Sequence, residues 1–166
     1  TSRSRARLNQ ALIEEFTKNA KLTENHQLIA GLPIRTVWTT NYDQLLEQVY
    51  REAHKSPDVK ITQENLAITI PGRDVTIYKM HGDVSQPDNA VLTKEDYELY
   101  NNQRLVFSEK LKGDLIERTF LFLGFSFTDP NIDYILGRIR ALLGKNPREH
   151  YCIMRRPQRP RGRGKA

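Results

Sequence analysis

A chain of 166 residues with 38% hydrophobic and 28% charged content has the make-up of one globular domain, which excludes wholesale disorder. The single cysteine, Cys152, excludes a disulfide framework and any multi-cysteine zinc site and points to a cytoplasmic setting, while no apolar run nears the roughly 20 residues that cross a bilayer. The net charge of +6 is confined to the C-terminal segment RRPQRPRGRGKA, whose six basic residues leave 20 basic against 20 acidic residues in the rest, so the body is not a basic nucleic-acid-binding protein.

The opening TSRSRARLNQ has no apolar segment behind its basic residues, so it is not a secretory signal, and without an initiator Met it reads as the continuation of a longer chain. From about Ser4 to Asn19, Leu8, Leu12, Ile13 and Phe16 form a helical stripe. Thr23 to Gly31 reads as a second helix, opened by an imperfect capping box with His26 in the Glu/Gln place and stopped by Gly31–Leu32–Pro33. RTVWTTN is a β-branched run suited to a buried strand, with Trp38 in the core, and YDQLLEQVYREA continues as a helix.

Between residues 55 and 74 the spacing suggests a strand near Leu66–Ile70, and DVTIYKMHGD reads as another strand. A helix is expected from Thr93, capped with Asp96, to Asn101, with Tyr97 and Tyr100 on one face as packing residues. A further helix follows over Phe107–Arg118. RTFLFLGFSFTD is a strand without alternation, the pattern of a strand covered on both faces. A helix from Asn131 to Leu143, with Asp129 near its cap, and a short strand in REHYCIMRR complete the body.

Residues 1–154 thus form the expected domain, and residues 155–166 a basic, disordered tail, the one place where nucleic acid could bind. Alternating strands and helices imply an α/β, Rossmann-like fold with a mainly parallel sheet and helices on both faces, in an incomplete domain. Three strands end in small polar sets: Thr39–Thr40–Asn41–Tyr42–Asp43, His81–Gly82–Asp83 and Gly124–Phe125–Ser126. Strand ends of parallel sheets line one crevice, so the three sets are candidates to converge. Singly, Asn41 fits a helix N-cap, His81 a turn histidine and Gly124 a tight-turn glycine. Asp83 is expected to face solvent, and His26, His54 and His150 to be structural or surface residues.

TTNYDQLLE, KMHGD and LFLGFSFTDPNI resemble, in order, the motifs of the sirtuin-like family of NAD-consuming domains, nearest to its antiphage-defence subgroup. The likeness runs from about Pro33 to Met154. It implies that Asn41 and His81 form the reactive pair, that Asp43 faces the nicotinamide amide, and that Thr40, Gly124 and Ser126 contact the nucleotide. NAD would be the substrate, no metal would be needed, and the function would be NAD hydrolysis by a defence effector held in check by oligomerisation or a sensor partner. The residue types suit that chemistry, since an amide can orient water with donor and acceptor and a histidine can take a proton near neutral pH. Cys152 alone cannot build the four-cysteine zinc module of the deacylases, which moves the reading from deacylation toward hydrolysis. A strand and glycine-rich phosphate loop are expected to precede residue 1, because the chain's lone Gly-x-Gly, Gly162–Arg163–Gly164, lies in the tail. A non-catalytic sirtuin-like scaffold is the competing reading.

Overall fold

The computed structural model describes residues 4–18, 20–124, 130–143 and 148–154. Contacts divide the chain into two compact units, Thr1–Phe107 and Ser108–Ala166. The first unit begins with α1 (Arg5–Lys18) and α2 (Glu24–Gly31), followed by β1 (Thr36–Thr39), α3 (Leu45–Glu52) and β2 (Pro57–Lys60). Then come α4 (Gln63–Leu66), β3 (Val75–Lys79), the short 3-10 turn η1 (Pro87–Asn89), α5 (Lys94–Glu98) and α6 (Tyr100–Gln103). Helix α7 (Leu105–Glu117) runs from the first unit into the second, which also holds β4 (Leu121–Leu123), α8 (Pro130–Leu143) and β5 (Tyr151–Ile153).

The three strands of the first unit form a fully parallel sheet in the order β1-β3-β2, with Val37 opposite Ile77 and Val59 opposite the same residue on the other side. Parallel strands need helical crossovers, and these helices must bury their apolar faces on the sheet. Ala30 of α2 and Val49 and Tyr50 of α3 therefore pack on Val75 and Ile77, with Leu22, Val37 and Leu46 around them. The opposite face carries Trp38 stacked on its register partner Tyr78 at 4.2 Å, with the Phe107 ring edge-on to both at 6.4 Å. Helices thus cover both faces of this sheet.

The capping box of α2 forms with His26: its Nδ1 accepts the Thr23 backbone N–H at 3.1 Å. Helix α3 ends in a Schellman motif, where the His54 N–H reaches Arg51 O and the Lys55 N–H reaches Tyr50 O. His54, expected to be a structural or surface residue, is exposed and occupies the left-handed position with φ of 56°.

Two sequence expectations about the placement and cover of strands fail. The strand placed near Leu66–Ile70 is instead β2 at Pro57–Lys60, and Gln63–Leu66 is a helical turn opened by Thr62. The cause is that β2 buries charge: Asp58 and Lys60 pair at 2.7 Å, so its sequence lacks an apolar signature, while Pro57 occupies the tolerated first position. The second concerns β4, expected to be covered on both faces. Among the described residues it pairs in parallel with β5 alone in a two-stranded sheet, and Leu121 and Leu123 are 42% and 43% exposed. Two strands leave alternate side chains without a covering layer among the described residues.

Candidate functional site

Strands β1 and β3 are neighbours whose register ends with Thr39 opposite Lys79. Asn41 and His81 each lie two residues beyond that last pair, so both stand at the carboxyl edge of the sheet. The two turns are then joined by hydrogen bonds from Met80 N to Thr39 O at 2.9 Å and from Val84 N to Tyr42 O at 3.0 Å.

In the first turn the Asn41 N–H donates to Thr39 Oγ1 at 3.1 Å, and the Asn41 side chain is exposed. Asp43 accepts the Leu45 N–H at 3.0 Å, a local turn that launches α3. Thr40 is half-buried between strand and turn. The Tyr42 hydroxyl donates to Val91 O at 2.5 Å, and the Val91 N–H donates to His81 O at 2.9 Å, so the stretch after η1 clasps both turns.

His81 is only 4% exposed. Its ring lies among Tyr97 at 5.4 Å and Tyr100 at 6.0 Å, both edge-to-face, and Tyr42 at 6.3 Å. The sequence reading of Tyr97 and Tyr100 as packing residues holds, and what they pack against is the candidate reactive histidine. Tyr100 also donates to Met80 O at 3.2 Å, one residue before it. Gly82 has φ of 94°, and a Cβ there would sit 2.9 Å from Ala90 Cα, so no side chain fits. Helix α1 fixes the same loop from outside: Arg5 pairs with Asp96 at 2.8 Å and donates to Pro87 O, Asp88 O and Ala90 O.

Asp83 was expected to face solvent; it is fully buried. Its Oδ2 pairs with Lys79 Nζ at 2.5 Å, and its Oδ1 accepts Gln44 Nε2 at 2.9 Å and the Ser85 N–H at 2.7 Å. Burial alone would raise this carboxyl, but hydrogen bonds from Lys79 and Ser85 and the lysine charge hold it below the ordinary carboxylate value. Glu47 of α3 lies 3.1 Å from the same ammonium and behaves oppositely: burial outweighs Lys79 and raises it. Lys79 and Glu47 were not singled out in the sequence, and Asp83 was singled out but placed on the wrong side of the surface. The available signal was charge on core faces, a lysine within VTIYKM and a glutamate beside Leu46 and Val49.

A further buried cation, Arg104, donates to Ile61 O, Lys79 O and Asn89 O, and burial lowers its affinity for its proton. It borders an open cavity of about 390 Å³ shared with Gln63, Asp88, Asn89 and Asp96. Gly124 lies in the second unit, at the end of β4, with φ of 62° that suits glycine. Ser126 and Asp129 lie outside the described residues, as do residues 155–166 of the tail. His150, expected to be a structural or surface residue, accepts the Phe120 N–H at 3.2 Å within the second unit. No described helix is long and apolar enough to cross a membrane.

Comparison with known proteins places these features in a family. The chain is 50% identical over 156 residues to the NAD(+) hydrolase ThsA of Bacillus cereus (strain MSX-D12), covering 94% of this chain and 33% of that protein. It is 52% identical over 154 residues to NAD(+) hydrolase ThsA of Enterococcus faecium, covering 92% and 32%. A more distant relative is defense-associated sirtuin 2 of Bacillus subtilis, 29% identical over 135 residues and covering 79% and 13%. The chain therefore spans about a third of the length of the hydrolases it matches. A SIR2-like domain model matches residues 35–165, most of the chain and both strand-end turns, and the chain belongs to the SIR2-like domain family.

Proposed function

We propose that this chain carries the reactive part of an NAD hydrolase that cleaves the bond between nicotinamide and ribose. The observation that carries the reading is the joining of the Asn41 and His81 turns at the carboxyl edge of two adjacent parallel strands. Relatives named NAD(+) hydrolase at 50% and 52% identity support it.

In this reading the C1′–N1 bond breaks first, and its electron pair neutralises the pyridinium of the departing nicotinamide. The ribose C1′ becomes oxocarbenium-like and is captured by water. Asn41, exposed at the edge, orients that water and a ribose hydroxyl through its amide donor and acceptor. An imidazole nitrogen of His81 takes the proton that the water loses, leaving ADP-ribose and nicotinamide. The near-complete burial of His81 limits its exchange with bulk water. Asp43 receives the nicotinamide amide, and Thr40, Gly124 and Ser126 contribute to nucleotide binding. NAD is the substrate, and no step requires a metal.

The parent role that follows is depletion of NAD in defence, in the cytoplasm, with activity restrained by an oligomer or a sensor partner. The relative named defense-associated sirtuin supports the defence setting. Product analysis tests the chemistry: the natural full-length protein incubated with NAD should yield nicotinamide and ADP-ribose in equal amounts. A cyclic nucleotide product would replace hydrolysis by cyclisation. Nicotinamide release that depends on an acyl-lysine peptide would replace it by deacylation, and no release at all would favour a scaffold.

A further inference from the structure

We propose that Lys79 is a positioning residue for NAD cleavage, whose buried ammonium ties the Asn41–Asp43 turn to the His81–Asp83 turn and sets the spacing of the two reactive side chains. The inference rests on the reading of Asn41 and His81 as the reactive pair.

The hydrogen-bonded ladder of β1 and β3 stops at the Thr39–Lys79 pair, so beyond it the two turns need other links to keep a fixed separation. Val75, Ile77 and Lys79 alternate onto the sheet face that α3 covers, and the last of them is a lysine, fully buried. Its ammonium has three N–H donors and no acceptor. It donates to the backbone carbonyl of Asp43, with Tyr42 O at 3.4 Å, which anchors the first turn. It pairs with Asp83 Oδ2 at 2.5 Å, which anchors the second, and with Glu47 Oε1 at 3.1 Å, which anchors α3. Asp83 closes the circuit by accepting Gln44 Nε2 from the first turn and the Ser85 N–H from its own.

Burying one ammonium and two carboxylates in a sheet–helix interface is an expensive way to fill space, since desolvation offsets most of the attraction and apolar side chains of similar volume often pack as stably. What apolar packing cannot supply is a directional link to two carbonyls and a carboxylate on separate turns. Reaction geometry is sensitive on this scale: a displacement of about 1 Å between reacting groups costs on the order of 100-fold in rate.

The test is steady-state nicotinamide release by the natural full-length protein, with kcat and KM for NAD resolved. The variants are Lys79→Met, the neutral trio Lys79→Met/Glu47→Gln/Asp83→Asn, and Asp83→Asn alone. The single lysine variant leaves two acids buried without their cation, which destabilises the fold; the trio removes all three charges and keeps the volume. Asp83→Asn keeps the shape and the Gln44 and Ser85 contacts while losing the charge link. In variants with a cooperative melt above the assay temperature, kcat should fall about 100-fold for the trio and by a smaller factor for Asp83→Asn, with KM within about three-fold of wild type. A folded trio or Asp83→Asn variant with wild-type kcat would overturn the proposal and leave the reactive pair standing. A wild-type protein that neither binds nor cleaves NAD would overturn both together.

Discussion

Gly82 shows how one residue connects backbone geometry to the site. With φ of 94° and Ala90 Cα 2.9 Å from any Cβ, Gly82→Ala must strain the turn, move the loop that clasps His81, or both. A left-handed or rarer conformation in a residue with a side chain costs about 1–3 kcal/mol, and the overlap adds to it. Urea unfolding of Gly82→Ala should show a loss of about 2 kcal/mol or more; a loss below about 0.5 kcal/mol would mean that the loop yields freely. The two acids around Lys79 make a paired prediction with opposite signs. Asp83 titrates below its ordinary value in the folded protein, so its stabilisation is complete above that value and is lost as pH falls through the folded pKa. Asp83→Asn should therefore cost about 3 kcal/mol at neutral pH, as removal of one partner of a buried pair does, and much less once the pH has fallen through the folded pKa of Asp83. Glu47 titrates above its ordinary 4.5, so the folded state favours its protonated form and its ionisation on raising the pH subtracts stability. Glu47→Gln should then be neutral or stabilising relative to wild type at pH 7. Denaturation midpoints across pH distinguish the two variants, and equal losses at pH 7 would contradict the assignment.

At the scale of elements, the Schellman end of α3 invites a simple change. His54 holds the left-handed position that glycine adopts without penalty, and its backbone N–H serves the motif whatever its side chain. His54→Gly should stabilise the chain by about 0.5–1 kcal/mol in thermal or urea unfolding, after the entropy cost of a new glycine. A destabilised variant would show that the imidazole contributes more than the backbone strain removes. Elements with local signatures were legible in the sequence for the same reason that this end is interpretable. The stripe of α1, the Thr23–His26 cap of α2 and the Thr93–Asp96 cap of α5 all rest on spacings of three or four residues. Strand β2 was not legible because Asp58 and Lys60 pair with each other and lie buried, and nothing within PDVK announces that. Strand β4 looked doubly buried because its own run is apolar, whereas covering a strand depends on layers supplied by other segments.

At the scale of the whole molecule, the order of strands decides what the strand-end residues can do. The carboxyl edge of a parallel sheet collects turns from distant parts of the chain, which is why the Asn41 and His81 positions could be picked out as members of one set from strand-end placement and family resemblance. Lys79 and Glu47 escaped, and Asp83 was misplaced in solvent, because their meeting brings α3 against β3, a tertiary event with no local spacing to betray it. The chain spans about a third of the length of the hydrolases it matches, so the proposed activity is to be measured on the full-length protein. The most direct measurement is nicotinamide release from NAD by that protein beside its Asn41→Ala and His81→Ala variants, each checked for a wild-type melt. Release by the wild type that falls about 100-fold or more in both folded variants is the expected result. Undiminished release from either folded variant would contradict the assignment of the reactive pair.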